Sequence, residues 1–323
     1  MILITAIQKI PIEQIDLTDD TFFVNFMPDL QKLRSSIEES GLIQPVLLRK
    51  KSGGYQIICG FRRVSVVKEL GKTEIEARVF EEKGADEFQL FSLSLQENLV
   101  TRGFNTVEKA MALERLVHRF RIDSDTVIKT FLPLFSLEPN EKILNTFLSL
   151  AGMEDGMKEY VLREEVSRSN IRRLANWSPD DRTAILSLIS SLKLGENRLR
   201  EILTFLEEIS KKNRCQAKET VQRPDIQVIL SQKEFTPSQR TERIKKVLLD
   251  LRYPKMHQLE EEFQKKRKGL NIPSNISLHH FPFFEGKGLR VEFQFETVEE
   301  YRMILDYLSN LVDKKEFEEM IEN

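Results

Sequence analysis

Cysteine is nearly absent from this chain of 323 residues. Cys59 and Cys215 are too few and too far apart for a disulfide framework or a structural zinc site, so both read as plain thiols. Tryptophan occurs once and tyrosine 5 times, against 21 phenylalanines. Most of these phenylalanines fall at helical or strand spacing, which assigns them to cores rather than to platforms that stack nucleic-acid bases. No run of about 18 apolar residues occurs, so no segment reads as a membrane span. The start, Met1 to Ala6, lacks the basic region and the length of a signal peptide, and Lys9 interrupts it; the expectation is a cytoplasmic protein. There is no excess of positive charge either, with 49 Lys and Arg against 51 Asp and Glu. That balance argues against a protein coated in basic surface but leaves room for a local basic face. A length of 323 residues suggests two or three domains.

The stretch that organises the rest runs from Tyr55 to Gly71. Apolar and β-branched residues of strand type break at Gly60, and apolar positions 64, 67 and 70 then follow at helical spacing until Gly71 supplies a C-terminal cap. The pattern predicts a strand, a glycine turn and a helix. A helix N-terminus presents unpaired N–H groups and the positive end of the helix dipole. Here it also carries Arg62 and Arg63, which suits an anion, with phosphate the natural candidate. The alternative is that both arginines lie on a solvated helix face.

Along the chain, residues 7–15 predict a strand that Pro11 places at an edge, and Leu30, Leu33 and Ile37 predict a short helix ending at Gly41. Leu42 to Leu48 reads as a strand, and Ile75 to Phe80 as another. A first helix ends near Leu99, and a second opens at Asn105, where Asn105 and Glu108 have capping-box spacing. Further helices are predicted over 124–132, 139–150, 154–163, 168–176, 179–192 and 196–210, a pattern that fits a helix-turn-helix region or plain helical packing. Residues 211–238 are polar, basic and aperiodic at their start, and read as a linker. Beyond them come helices over 240–251 and 259–268, a hairpin of 276–281 with 289–295 joined through Glu285 to Gly288, and a final helix opened by Thr297.

The order of elements over residues 7–110 resembles the N-terminal domain of the ParB partition-protein family. The resemblance rests on the Ile10-Pro11-Ile12 strand, Gly41-Leu42-Ile43-Gln44-Pro45, the Gly60-Phe61-Arg62-Arg63 turn, and Glu97-Asn98 ahead of Asn105-Thr106-Val107-Glu108-Lys109-Ala110. It implies a ParB/sulfiredoxin-like α/β domain over 1–100. It implies further that the glycine–arginine turn, with Gly60, Arg62 and Arg63, cradles the triphosphate of CTP, and that Gln44 and Pro45 lie beside the nucleotide. By the same resemblance Glu97 and Asn98 hold Mg²⁺, with Asn98 also a nucleotide contact; carboxylate and amide oxygens are the hard donors this ion takes.

The chain departs from the family pattern in places. Phe61, Ser65 and Val66 stand where Glu, Arg and Ala are usual, so one phosphate-facing arginine is missing. Thr101 occupies the position of a second arginine, and Arg102 follows it. One residue on a helix rotates a side chain by about 100°, so Arg102 substitutes only where the helix has already ended. Relatives with other chemistry are disfavoured by the same residues. A sulfiredoxin-like site needs cysteine directly after the turn glycine, where this chain has Phe61. The kinase-type relatives carry histidine in this turn, and the acid pairs Glu38-Glu39 and Glu81-Glu82 read as solvated rather than as a nuclease centre.

The overall expectation is an α+β protein. It comprises the N-terminal domain (1–100), an all-helical DNA-binding domain of helix-turn-helix type (101–210), a basic linker (211–238) and a small α/β domain for self-association (239–323). Asn140, Lys142 and Asn145 are the candidate groove contacts, although asparagine at a helix start also serves as a cap. Arg163, Arg168, Arg172 and Arg173 form the stronger basic face, either for DNA phosphates or in ion pairs with Glu164 and Glu165. His279 and His280 point to opposite faces of a strand and read as structural. The family implies a homodimer closing on double-stranded DNA and a ParA-type ATPase as partner. The competing expectation is a non-enzymatic adaptor that has lost specific DNA reading and binds a protein.

Overall fold

The computed structural model describes residues 6–80, 86–281 and 288–322. The chain divides into two compact units, Met1–Ser190 and Ser191–Asn323. In the first, β1 (Gln8–Pro11), β2 (Ile15–Asp16), β3 (Val46–Lys51), β4 (Gly54–Cys59) and β5 (Glu74–Phe80) form one mixed sheet in the order β1-β5-β3-β4-β2. β3 lies between β4, antiparallel to it, and β5, parallel to it. β1 pairs only with β5, so Pro11 sits at an edge, where its missing N–H costs no ladder bond. The strand expected from Leu42 begins at Val46, after Pro45.

Three helices dress this sheet. α1 (Gln31–Ser40) ends at Gly41, whose positive φ is the expected cap. α2 (Phe61–Glu69) packs Val64, Val66 and Val67 into the core formed with Val46, Leu48 and Ile57. Removing that much apolar surface from water is what fixes the helix on the sheet. α3 (Glu87–Thr101) runs against β4. The acid pair Glu81-Glu82 lies outside the described residues.

The same unit continues without a break into helices. α4 (Thr106–Glu114) opens with the expected capping box of Asn105 and Glu108 and runs on into a π-turn over Arg115–Arg119. α5 (Ser124–Thr126), a second π-turn over Val127–Phe131 and α6 (Leu132–Leu134) make one segment. α7 (Glu141–Ala151), α8 (Asp155–Arg163), α9 (Arg168–Ala175) and α10 (Pro179–Ile189) follow. α7 and α8 pack on α4, and α9 packs on α7. The boundary expected at residue 100 lies inside this first unit. Arg115 of the π-turn donates to the carbonyls of Asp20 and Phe23 and to the Asp20 carboxylate, tying the helices to the strand layer.

The second unit holds α11 (Glu196–Asn213), α12 (Ala217–Val221), α13 (Pro224–Ser231), α14 (Pro237–Arg252) and α15 (Pro254–Gly269). The hairpin of β6 (Ile276–His280) and β7 (Leu289–Phe293), then α16 (Val298–Leu311) and α17 (Lys315–Glu322), complete it. Most of the hairpin turn expected from Glu285 lies outside the described residues. The basic stretch 211–238 is not a linker. Ala217, Thr220, Val221 and Ile226 are buried, Gln216 and Glu219 form a capping box, and Pro224 starts α13 at its first position. A helix as short as α12 spans too few turns for its apolar period to show in sequence. α14 packs on α11 and α13, whereas Phe263, Leu270, Leu278 and Leu311 form a separate core of α15, the hairpin and α16. His280 bonds Glu260 at 2.6 Å and meets the Phe263 ring edge-on, while His279 is exposed, so the two occupy opposite faces of β6 as expected.

Candidate nucleotide site

The turn between β4 and α2 depends on Gly60, which has φ +100°; a Cβ there would lie 2.8 Å from Cγ1 of Val46. The glycine lets the chain reverse tightly, and Arg62 and Arg63 follow in the first turn of α2. Nε of Arg62 donates to Oδ1 of Asn25 at 2.8 Å, and its Nη2 donates to Oε1 of Glu108 at 2.8 Å. Nη1 of Arg63 donates to the carbonyls of Gln44 (3.1 Å) and Pro45 (3.2 Å), and its Nη2 to Oε1 of Glu97 (2.7 Å).

α3 ends at Thr101, and Arg102 leaves the helical region with φ −141° before Gly103 at φ +71°. Arg102 thereby turns back along α3. Its Nε donates to Oδ1 of Asn98 (2.7 Å), its Nη1 to Glu108 (2.8 Å) and the Gly103 carbonyl (3.0 Å), and its Nη2 to the Val24 carbonyl (2.9 Å). Thr101, in the arginine position of the family pattern, bonds back to the Glu97 carbonyl. Ser65, at the other departure, likewise bonds back to Phe61.

These groups enclose a cavity of about 280 Å³ to which Gln44, Gly60, Arg62, Arg63, Glu97, Asn98 and Arg102 all contribute. Pro45 touches the site through its carbonyl, by way of Arg63. Phe61 lines the cavity too and stacks on Phe23, with ring centroids 4.2 Å apart. Three guanidinium groups face two lining carboxylates, Asp29 and Glu97, with Glu108 buried behind them. The set is thus close to electroneutral. Burial, and then the neighbouring Arg102, pull the Arg62 guanidinium below its ordinary value against the opposing effect of Glu108. Burial, with the Glu97 carboxylate, pushes the Cys59 thiol up to about 12, so this residue beside the turn is a packed thiol and not a nucleophile.

Sequence reasoning took Glu108 only as a cap, and Asn25 and Asp29 not at all. Glu108 carried a signal in its capping-box spacing. The other two lie in a loop that no periodicity marks.

The candidate DNA contacts divide. Oδ1 of Asn140 accepts the backbone N–H of Lys142 at 2.7 Å, so this side chain is the N-cap of α7. Lys142 and Asn145 are exposed on α7 beside Glu138 and Glu141, and the helix buries Leu144, Thr146, Phe147 and Leu150. Arg168 and Arg172 are exposed on α9 and Arg173 is half-buried; Arg168 pairs loosely with Glu138 at 3.9 Å. Arg163, at the end of α8, pairs with Glu159. The partners of Arg163 and Arg168 are therefore Glu159 and Glu138 rather than the Glu164 and Glu165 considered from sequence.

Comparison with known proteins agrees with the fold of the N-terminal part. The ParB N-terminal domain matches residues 4–99. The chain is 36% identical over 123 residues to the chromosome-partitioning protein ParB of Myxococcus xanthus, covering 38% of this chain and 40% of that one. It is 26% identical over 179 residues to the nucleoid occlusion protein of Halalkalibacterium halodurans, covering 54% and 60%. It thus spans about 40–60% of the length of these relatives. A C-terminally truncated ParB from Caulobacter crescentus, solved in complex with CTP-gamma-S, aligns with a TM-score of 0.27 at 22% identity, over 56% of this chain and 97% of that one. Residues 4–99 thus form a ParB N-terminal domain, and over that region the chain is homologous to chromosome-partitioning ParB proteins.

Proposed function

We propose that the chain is a DNA-binding partition protein whose N-terminal site takes CTP with Mg²⁺, and that nucleotide binding closes a homodimer as a clamp on double-stranded DNA during chromosome or plasmid segregation. The observation that carries this reading is the convergence of Arg62, Arg63 and Arg102 on one cavity beside Glu97 and Asn98. Arginine forks at a helix N-terminus are the chemistry that grips phosphate oxygens. The choice of CTP among nucleotides comes from the family resemblance.

The donors fit a magnesium ion. Glu97 and Asn98 present carboxylate and amide oxygens to the same cavity, and when bound the ion would neutralise triphosphate charge there. Arg63 and Arg62 hold phosphate oxygens, Arg102 takes the place of the arginine missing at Thr101, and the Gln44–Pro45 backbone borders the nucleotide. No residue is assigned to hydrolysis. Arg168, Arg172 and Arg173 on α9, with Lys142 and Asn145 on α7, form the DNA face of the helical region. The exposed apolar residues Val298, Met303 and Leu305 of α16 and Val312 just after it, with the open edges of the β6–β7 hairpin, form the self-association surface. The protein acts in the cytoplasm on the nucleoid, with a ParA-type ATPase as its partner.

One observation favours the adaptor reading. Glu138 lies just before α7 and Glu141 begins it, both exposed, and Asn140 is spent on its cap, which is poor chemistry for approach to phosphates. A binding screen of genomic duplex fragments, with and without CTP–Mg²⁺, tests the two. Selective, salt-sensitive retention of one duplex supports the DNA clamp, whereas salt-insensitive association with a protein and no duplex selection supports the adaptor.

A further inference from the structure

Glu108 is 1% exposed, and its carboxylate holds more partners than a helix cap requires. In a capping box the side chain at this position accepts one backbone N–H, and glutamine serves as well as glutamate. Here Oε2 accepts the N–H of Asn105 (3.2 Å) and Nη1 of Arg102 (2.8 Å). Oε1 accepts Nη2 of Arg62 (2.8 Å) and the N–H of Phe26 (3.3 Å). Asn105 adds a bond from its Nδ2 to the Phe26 carbonyl at 3.2 Å. Glutamine, with one acceptor oxygen and no charge, cannot hold two guanidinium groups in this way. The need for glutamate comes from the arginines, not from the helix.

The four partners come from four places: the first turn of α2, the end of α3, the loop before α1 and the N-terminus of α4. Arg62 and Arg102 both line the cavity and repel one another; the carboxylate between them cancels that repulsion and fixes both forks. A phosphate group held by the two arginines immobilises them. Their shared carboxylate then immobilises the amides of Phe26 and Asn105, and with them the start of the helix on which α7 and α8 pack.

We propose that Glu108 is a positioning residue that couples occupancy of the arginine cavity to the N-terminus of α4, so that an anion bound at the turn is felt by the helical half of the first unit. The inference rests on the reading of the cavity as a phosphate site. Its test is hydrogen exchange of the full chain with inorganic tripolyphosphate and Mg²⁺, followed on peptides covering 61–66 and 104–113. In the unmodified protein, ligand slows both regions, by about tenfold at 104–113.

In Glu108→Gln, ligand still slows 61–66, because Arg63 is held through Glu97 and the Gln44 and Pro45 carbonyls, while 104–113 changes by less than about twofold. An Asn105→Ala control, which weakens the cap and leaves both arginine bonds in place, exchanges faster without ligand yet still slows with it. Equal slowing of 104–113 in Glu108→Gln and in the unmodified protein overturns the proposal. So does slowing of 61–66 alone in the unmodified protein. If ligand slows neither region in the unmodified protein, the phosphate-site reading itself fails, and the coupling with it.

Discussion

Arg63 donates to the carboxylate of Glu97 across 2.7 Å, so the residue proposed for phosphate and the residue proposed for the metal are each other's partner. Asn98 and Arg102 repeat the arrangement at 2.7 Å. A divalent cation alone would have to displace two guanidinium groups and sit between them. It is therefore expected to bind only together with a polyphosphate that draws the arginines onto its own oxygens. Calorimetric titration with Mg²⁺ alone gives no binding heat, while Mg²⁺ raises the affinity for CTP. In Glu97→Gln the Mg²⁺ dependence of CTP binding falls by at least about tenfold, since one charged oxygen ligand is lost.

In the proposed function Arg102 takes the place of the arginine of the family pattern, one residue further on, where α3 has ended at Thr101. Removing it takes a phosphate contact from the cavity and leaves buried Glu108 with one guanidinium instead of two. Arg102→Ala is expected to weaken CTP binding at least about tenfold and to destabilise the fold by about 1–3 kcal/mol. Thr101→Ala, which loses only an exposed hydroxyl bonded to its own helix, stays within about 0.5 kcal/mol. Denaturant unfolding and titration of the two variants side by side check both.

Gly60→Ala forces a side chain into a left-handed backbone at φ +100° and against Val46. The backbone strain alone costs about 1–3 kcal/mol, and the contact at 2.8 Å adds to it. Because Arg62 and Arg63 are aimed by this turn, CTP binding falls even in the folded fraction. Thermal unfolding together with titration below the transition checks the two effects separately.

Asp19 gives the pH dependence. Burial raises its pKa, but hydrogen bonds from Lys51, Thr21 and Gln56 outweigh that and hold the carboxyl well below the ordinary range. A group whose pKa is depressed on folding contributes stability above its unfolded value, about 3.9, and loses it as pH falls through the folded value. Asp19→Asn should therefore cost about 1–2 kcal/mol at pH 7, a difference that shrinks steadily below about pH 4. Urea unfolding at a series of pH values measures it.

Much of this was legible in the sequence. The glycine turn, the helix with its two arginines and the capping box at Asn105 were all marked by residue type at fixed spacing, which local backbone physics reads directly. The helices from Ser124 to Asn213 were marked by periodicity. Two things were not. The packing of the 211–238 stretch depends on a few apolar residues that meet α11 and α14 only in three dimensions. The role of Glu108 depends on Arg62, distant in sequence, and on the end of α3 one residue before Arg102; a capping-box pattern announces the helix start and says nothing of the other partners. The ties from Arg115 to Asp20 and Phe23, which cross the boundary expected at residue 100, are likewise long-range contacts.

The central claim is that the arginine cavity is a nucleotide site. Calorimetric titration of the full chain with CTP, ATP and GTP in Mg²⁺, beside an Arg63→Ala variant, tests it most directly. The account predicts saturable binding selective for CTP, weakened at least about tenfold in the variant. Absence of nucleotide binding, or binding that Arg63→Ala leaves unchanged, would contradict it.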